Sequence, residues 1–273
     1  MPAGGGSQLT DRCLNSNAFA PGANRDHRRT HVGTHRCAVP SVRGVTAGVV
    51  LAQPSNGRVA HRTTVQTESV GFYAERVLPR AVDIALSGKA FAQLRERVAA
   101  DLEGEVLEVG FGSGRNVPFY PLEVARVLAI DPAVAGRKLA VRRLAASPVP
   151  VDFVGLDGEQ LPLEGASVDH VLTTWTLCTI PDVRRALAEI HRVLRPGGAL
   201  HFVEHGLSPE ASVARWQDRL TPLQRRVAGG CHLNRPIDTL IADAGLELAR
   251  LNNFYMRGPK AFGFMFEGVA TKV

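Results

Sequence analysis

Long apolar runs are missing from this chain. No stretch of its 273 residues approaches the ~20 consecutive apolar residues of a membrane-crossing helix. The uncharged run VTAGVVLA at 45–52 is too short and too glycine-rich, so no membrane span is expected. The paired Arg28 and Arg29 are not followed by an apolar segment, and no export leader is expected either. Cysteine is scarce and scattered. Cys13, Cys37, Cys178 and Cys231 show no C-x-x-C or other ligand spacing, which argues against a disulfide framework and predicts no metal site. Such usage fits a reducing, cytoplasmic setting.

Charge of one sign is lacking where a nucleic-acid surface would need it. The formal net charge is +6, but residues 1–70 hold eight arginines against Asp11, Asp26 and Glu68, a surplus of five. The remaining 24 basic residues face 23 acidic ones, so the rest of the chain is close to neutral and no nucleic-acid partner is expected for it. Residues 1–68 also lack hydrophobic periodicity and read as a disordered basic extension, with an Arg-rich binding arm as the alternative. The domain is expected over 69–273. Its hydrophobic content, 45% for the whole chain, allows a sizeable core.

What is present is an alternation of strand-like and helix-like runs. FYAERVLPRAVDIALS and AFAQLRERVAADL carry apolar residues at helical spacing and predict two helices ahead of EVLEVG. Strand-like runs follow at 126–131, 150–157, 168–175 and 199–205, with helical stretches near 133–146 and 182–195, the second stopped by Pro196-Gly197-Gly198. Residues 207–245 read as mostly helical, and LELARLNNFY and AFGFMFEGVAT as two closing strands. This order predicts a Rossmann-like, doubly wound α/β fold with right-handed crossovers.

In such a fold, ligands sit beyond the carboxyl ends of the strands. Gly110, Gly112 and Gly114 fall there, at the end of the first strand, where bare backbone can press against a ligand. The spacing is GxGxG, neither the dinucleotide GxGxxG nor a phosphate-loop GK[ST]. Asp131 ends the second strand, where a carboxylate can accept both hydroxyls of a ribose.

EVGFGSG, IDP, LDGEQLPLEGASVDHVLTTWTLCTIPD and EIHRVLRPGGALHFVEH together resemble the class I S-adenosylmethionine-dependent methyltransferases. The resemblance implies a seven-stranded, mostly parallel sheet with an antiparallel last strand, and S-adenosyl-L-methionine as cofactor. It implies that Gly110, Gly112 and Gly114 wrap the methionine part, supported by Glu108, and that Asp131, followed by Pro132, holds the ribose. Asp157, with the backbone of Gly158 and Glu159, would meet the adenine edge; Thr174 and Trp175 would face the transfer centre. GGCHLNR at 229–235 is similar to the alkyl thiol S-methyltransferase branch, without its N-terminal apolar anchor, and favours a thiol among small, lipophilic acceptors. C- or N-methylation of the quinone or phospholipid-headgroup kind is the alternative within enzymes. Nucleic-acid binding through the arginine-rich tail, or a silent scaffold, lies outside them.

Displacement at a sulfonium needs positioning and exclusion of water rather than a metal. A protonated acceptor needs a base, for which His205, just after the fifth strand, and His232 are the candidates; either could be structural. Cys231, Asn234 and Arg235 are candidate acceptor contacts. Cys178 and Cys231 also read as small buried side chains, Asn234 and Arg235 as capping or salt-bridging groups, and His201 as packed. Trp175, Leu177, Trp216 and Leu220 are candidate pocket walls or core. Nothing in the sequence sets an oligomeric state.

Overall fold

The strand-like runs pair into one seven-stranded sheet in the computed structural model, which describes residues 77–273. The expected basic extension and the boundary at 68/69 lie outside the described residues. Two helices, α1 (Leu78–Ala85) and α2 (Lys89–Ala99), precede β1 (Gly104–Val109). Then follow β2 (Val124–Ile130), α3 (Val134–Ala145), β3 (Val151–Gly155), β4 (Val168–Thr174), α4 (Val183–Val193) and β5 (Leu194–His205). The chain closes with α5 (Ala211–Val227), α6 (Ile237–Asp243), β6 (Leu246–Tyr255), the one-turn α7 (Lys260–Gly263) and β7 (Phe264–Lys272).

The sheet order is β3-β2-β1-β4-β5-β7-β6. Strands β1 to β5 pair in parallel, and β7 runs antiparallel to both β5 and β6. The last strand in sequence is thus the antiparallel one, as the resemblance implied. After β3 the order reverses, and β4 adds to the free edge of β1. That reversal places a crevice at the carboxyl ends of β1 and β4.

The central strands are apolar on both faces because both are covered. On one face Leu107, Val109 and Val171 pack with Leu187 and Ile190 of α4 and Ile237 and Ile241 of α6. On the other, Val106, Val127 and Leu172 pack with Leu94 and Val98 of α2 and Ala140 of α3. Helix α4 forms because Val183, Ala186, Leu187, Ile190 and Val193 make one buried stripe and Asp182 caps it by accepting from the Arg185 amide at 3.1 Å. Truncating Leu187 to Ala would cost about 2–5 kcal/mol.

One expectation needs correcting. Pro196-Gly197-Gly198 does not end a helix; α4 stops at Val193, and the triplet lies within the first part of β5. There the pairing with β4 jumps from Val168–Leu194 to His170–Ala199, and Gly197, at φ +78, forms the resulting bulge. His201, by contrast, is packed as expected. Its Nδ1 donates to the Val98 carbonyl at 3.2 Å and its Nε2 accepts from His170 Nδ1 at 3.0 Å. Burial and the neighbouring His170 push its pKa down to about 4.

Candidate active site

The carboxyl ends of β1, β2 and β4 open on a cavity of about 620 Å³, a size typical of small-molecule sites. Its floor is the glycine loop. Gly110 has φ +81, and a Cβ there would stand 2.0 Å from Thr176 Oγ1, so only glycine lets the loops after β1 and β4 approach this closely. Gly112 and Gly114 also have positive φ, +56 and +71.

Asp131 ties this loop to the end of β2. Its Oδ2 accepts from the Gly112 amide and its Oδ1 from the Ala133 amide, both at 2.6 Å. Each oxygen keeps a further lone pair, and the residue lines the cavity with Pro132 beside it. Beneath the loop, Glu108 is buried and accepts from Asn116 Nδ2 at 2.9 Å and from the Tyr120 hydroxyl. Burial pushes the Glu108 carboxyl up to about 7. Asp157 stands exposed at the rim, where its Oδ1 accepts from the Glu159 amide at 2.8 Å. Glu159 in turn accepts from the Asp182 amide at 2.9 Å, and Gly158 completes this edge. Every expected cofactor residue except Gly114 and the buried Glu108 lines the cavity.

The opposite part of the cavity holds residues that sequence reasoning missed. Trp175, an expected one, adopts φ +53, a strained conformation for a bulky residue. Its ring meets Phe91 edge-on at 5.2 Å, and the Arg95 guanidinium lies 4.7 Å from its centroid. Arg95 Nε, Asn116 Oδ1 and Trp175 Nε1 are buried without a hydrogen-bond partner, on residues that line the cavity. Unpaired buried polar atoms are costly; two of these are donors and one is an acceptor, so a ligand carrying both acceptor and donor atoms suits this corner. Thr174 Oγ1, alongside, accepts from Asn116 Nδ2 at 3.0 Å.

Asp83 is the other missed residue. It projects from α1 and pairs with Arg115 Nε and Nη2, each at 2.8 Å, and with Ser113 Oγ at 2.5 Å. Arg143 of α3 stands 3.5 Å away. Burial opposes ionisation, but the Arg115 and Ser113 hydrogen bonds hold the carboxyl below its usual range. Helix α1, which adds Val82 and Asp83 to the lining, is thereby fastened to the glycine loop. In sequence, an acid and an arginine on amphipathic helices carry no mark that separates them from solvated surface charges.

The candidates around GGCHLNR sit behind the wall rather than in it. Gly229 and Gly230 line the cavity, whereas Cys231, His232, Asn234, Arg235 and His205 do not reach the lining. Cys231 Sγ lies 3.8 Å from Cys178 Sγ and 3.5 and 3.6 Å from the two ring nitrogens of His205. Its pairing with Cys178, together with the His205 ring, favours a thiolate at Cys231, and the same pairing with burial pushes the Cys178 thiol up. His232 is half-buried and held to the Cys178 carbonyl through its amide at 2.8 Å. Arg235 donates to the Leu177 carbonyl and, at 3.2 Å, to the Pro181 carbonyl. Asn234 donates to Asp218 Oδ1 at 2.8 Å. Of the four candidate apolar walls only Trp175 lines the cavity; Leu177 is core and Trp216 is exposed on α5.

The chain is similar to several known proteins. Residues 107–202 match the family described as Methyltransferase domain. This stretch is similar to a methyltransferase domain. The stretch around it is 35% identical over 149 residues to thiol S-methyltransferase TMT1B of Rattus norvegicus, covering 53% of this chain and 61% of that protein. It is 37% identical over 150 residues to human thiol S-methyltransferase TMT1A, with the same shares. A phthiotriol/phenolphthiotriol dimycocerosates methyltransferase of Mycobacterium tuberculosis is 38% identical over 144 residues, covering 50% of this chain and 52% of its own. The chain therefore matches little more than half of these relatives' length. Among solved structures, an S-adenosylmethionine-dependent methyltransferase of Thermotoga maritima superposes with a TM-score of 0.54 at 22% identity, covering 74% of this chain and 99% of its own. One from Aquifex aeolicus gives 0.51 at 20% identity, with 71% and 98% covered. The chain thus shares its fold with these two solved methyltransferases. Among the described residues, no helix is long and apolar enough to cross a membrane.

Proposed function

We propose that this protein transfers the methyl group of S-adenosyl-L-methionine to a small, lipophilic acceptor, a thiol first among them. The observation that carries the reading is the fit of the cavity to a molecule that is a nucleoside at one end and an amino acid at the other. Asp131 has lone pairs to spare for two ribose hydroxyls, and Asp157 with the Gly158–Glu159 backbone borders the place of the base. At the far end Arg95 Nε can donate to a carboxylate and Asn116 Oδ1 can accept from an ammonium group. The bare backbone at Gly110 admits the chain between them. The thiol preference draws on the similarity to the thiol S-methyltransferases.

When bound, the cofactor supplies a methyl group on a positively charged sulfur, open to in-line attack. This chain's residues would bind, orient and exclude water. Trp175 and Thr174 bound the space where an acceptor would approach, and α1, latched by Asp83, adds to the lining. A thiol, with a pKa near 8.5, loses its proton easily, so the reading asks for no strong base. That suits histidines His205 and His232, which lie behind the wall. The full chain incubated with S-adenosyl-L-methionine and matched alkyl thiol, phenol and amine acceptors tests this. Release of S-adenosylhomocysteine with the thiol, and much less with the others, supports the reading. Turnover with the amine or phenol alone refutes the thiol assignment, and none with any acceptor refutes the activity.

A further inference from the structure

Cys178, His205 and Cys231 are far apart in sequence, the two cysteines being separated by 53 positions and His205 and Cys231 by 26. They come from three elements: the loop after β4, the end of β5 and the loop after α5. All three are buried, and their donor atoms lie within 4.8 Å of one another. We propose that they form a buried Cys2His site for a soft divalent cation of the zinc type, which clamps together the two loops that wall the cavity.

The distances carry the argument. A tetrahedral ion with bonds of ~2.3 Å to sulfur and ~2.0–2.1 Å to nitrogen requires its ligands to stand about 3.8 Å apart for S···S and about 3.6 Å for S···N. The observed separations are 3.8 Å between the sulfurs and 3.5–3.6 Å between Cys231 Sγ and the His205 nitrogens, and the third pair, Cys178 and His205, stands within 4.8 Å. The sulfurs are not joined in a disulfide, in which they would stand about 2.05 Å apart. The donor types are those that select zinc over magnesium or calcium. Two thiolates, a neutral imidazole and a divalent ion sum to zero charge, so the assembly can stay buried without an unpaired ion.

The site also has a mechanical role. Cys178 closes the segment that includes Thr176, and Cys231 directly follows Gly229 and Gly230, all three being cavity-lining residues. Gly230 already presses on the first segment: at φ +89 a Cβ would stand 2.9 Å from the Thr179 carbonyl. His232 donates its amide to the Cys178 carbonyl at 2.8 Å. An ion held by one sulfur from each side would lock this contact and fix the wall's position. This consequence rests on the methyltransferase reading; the ion site does not.

The test uses the full chain with Cys13→Ser and Cys37→Ser, so that only Cys178 and Cys231 supply sulfur, kept reduced and loaded with Zn2+ or Co2+. Expected are one ion per chain retained through gel filtration and a thiolate-to-cobalt charge-transfer band in the Co2+ form. Both cysteines should resist iodoacetamide until a chelator strips the ion. Cys231→Ser and His205→Ala should each weaken Zn2+ binding at least as much as the ~10–100-fold that loss of an outer-shell partner costs. If either variant fails to fold, the parent chain still decides. A folded, reduced parent that retains no ion would overturn the proposal. So would a Co2+ form without the sulfur band, or cysteines equally reactive with and without Zn2+. If the ion binds but its removal leaves S-adenosylhomocysteine affinity unchanged, the clamp is refuted while the methyltransferase reading stands.

Discussion

The two sides of the cavity are built in different ways. The side assigned to the cofactor consists of strand ends and the loops directly after them: Gly110 to Gly114, Asp131 to Ala133, Asp157 to Glu159. Its polar groups are backbone amides or acids hydrogen-bonded to them. The other side, assigned to the acceptor and, at Arg95, to the amino-acid end of the cofactor, is assembled from α1, α2 and the loop after α5, and held by long-range side-chain contacts such as Asp83 to Arg115. On the methyltransferase reading, the rigid sheet holds the cofactor, while the added helices can vary with the acceptor.

Substitutions can break that contrast. The largest effect is expected from Asp131→Ala, which removes both ribose-facing lone pairs and the tie to Gly112. Two lost charge-assisted hydrogen bonds, roughly 1.5–3 kcal/mol each, predict at least ~100-fold weaker cofactor binding by calorimetry. Asp83→Ala comes next. It unlatches α1 and frees Ser113 and Arg115 while leaving Asp131 and its backbone partners in place, so KM for the acceptor should rise about 10-fold and S-adenosylhomocysteine affinity should fall by less than that. His232→Ala, behind the wall, should leave kcat with a good thiol within ~3-fold; a loss of 100-fold or more would restore the histidine as a base.

Stability against pH sharpens the contrast between buried groups. Glu108 has its folded pKa raised to about 7 from 4.5, mainly by burial. The folded chain therefore keeps a proton that the unfolded chain releases, and stability falls as pH rises from about 4.5 to 7. His201, lowered to about 4 from 6.5 by burial, acts in the opposite direction: its contribution is complete above pH 6.5 and is lost as pH falls toward 4. Each spans on the order of 3 kcal/mol at most. Urea unfolding of Glu108→Gln should show a stability relative to wild type that rises across pH 4.5–7. His201→Leu should show the reverse slope between 4 and 6.5.

The cavity-lining loops proposed to hold the cofactor were legible in the sequence because their signals are local. A glycine at 110 marks a backbone that must turn where Thr176 approaches, and Asp131 ends an apolar strand. The sheet was readable for the same reason, except at Leu194–Gly198, where a proline and two glycines signal a break but form a bulge that keeps pairing. The acceptor side was not. Asp83 and Arg95 resemble solvated helix charges until the fold sets them against the cavity, and Trp216 resembles a pocket wall but faces solvent. Cys178, His205 and Cys231 have no spacing to betray them, since three separate elements bring them together.

Calorimetric titration of the full chain with S-adenosylhomocysteine and S-adenosyl-L-methionine tests the central claim most directly. The account predicts binding of both at one site per chain, with micromolar dissociation constants. A folded chain that releases no heat with either ligand would contradict it.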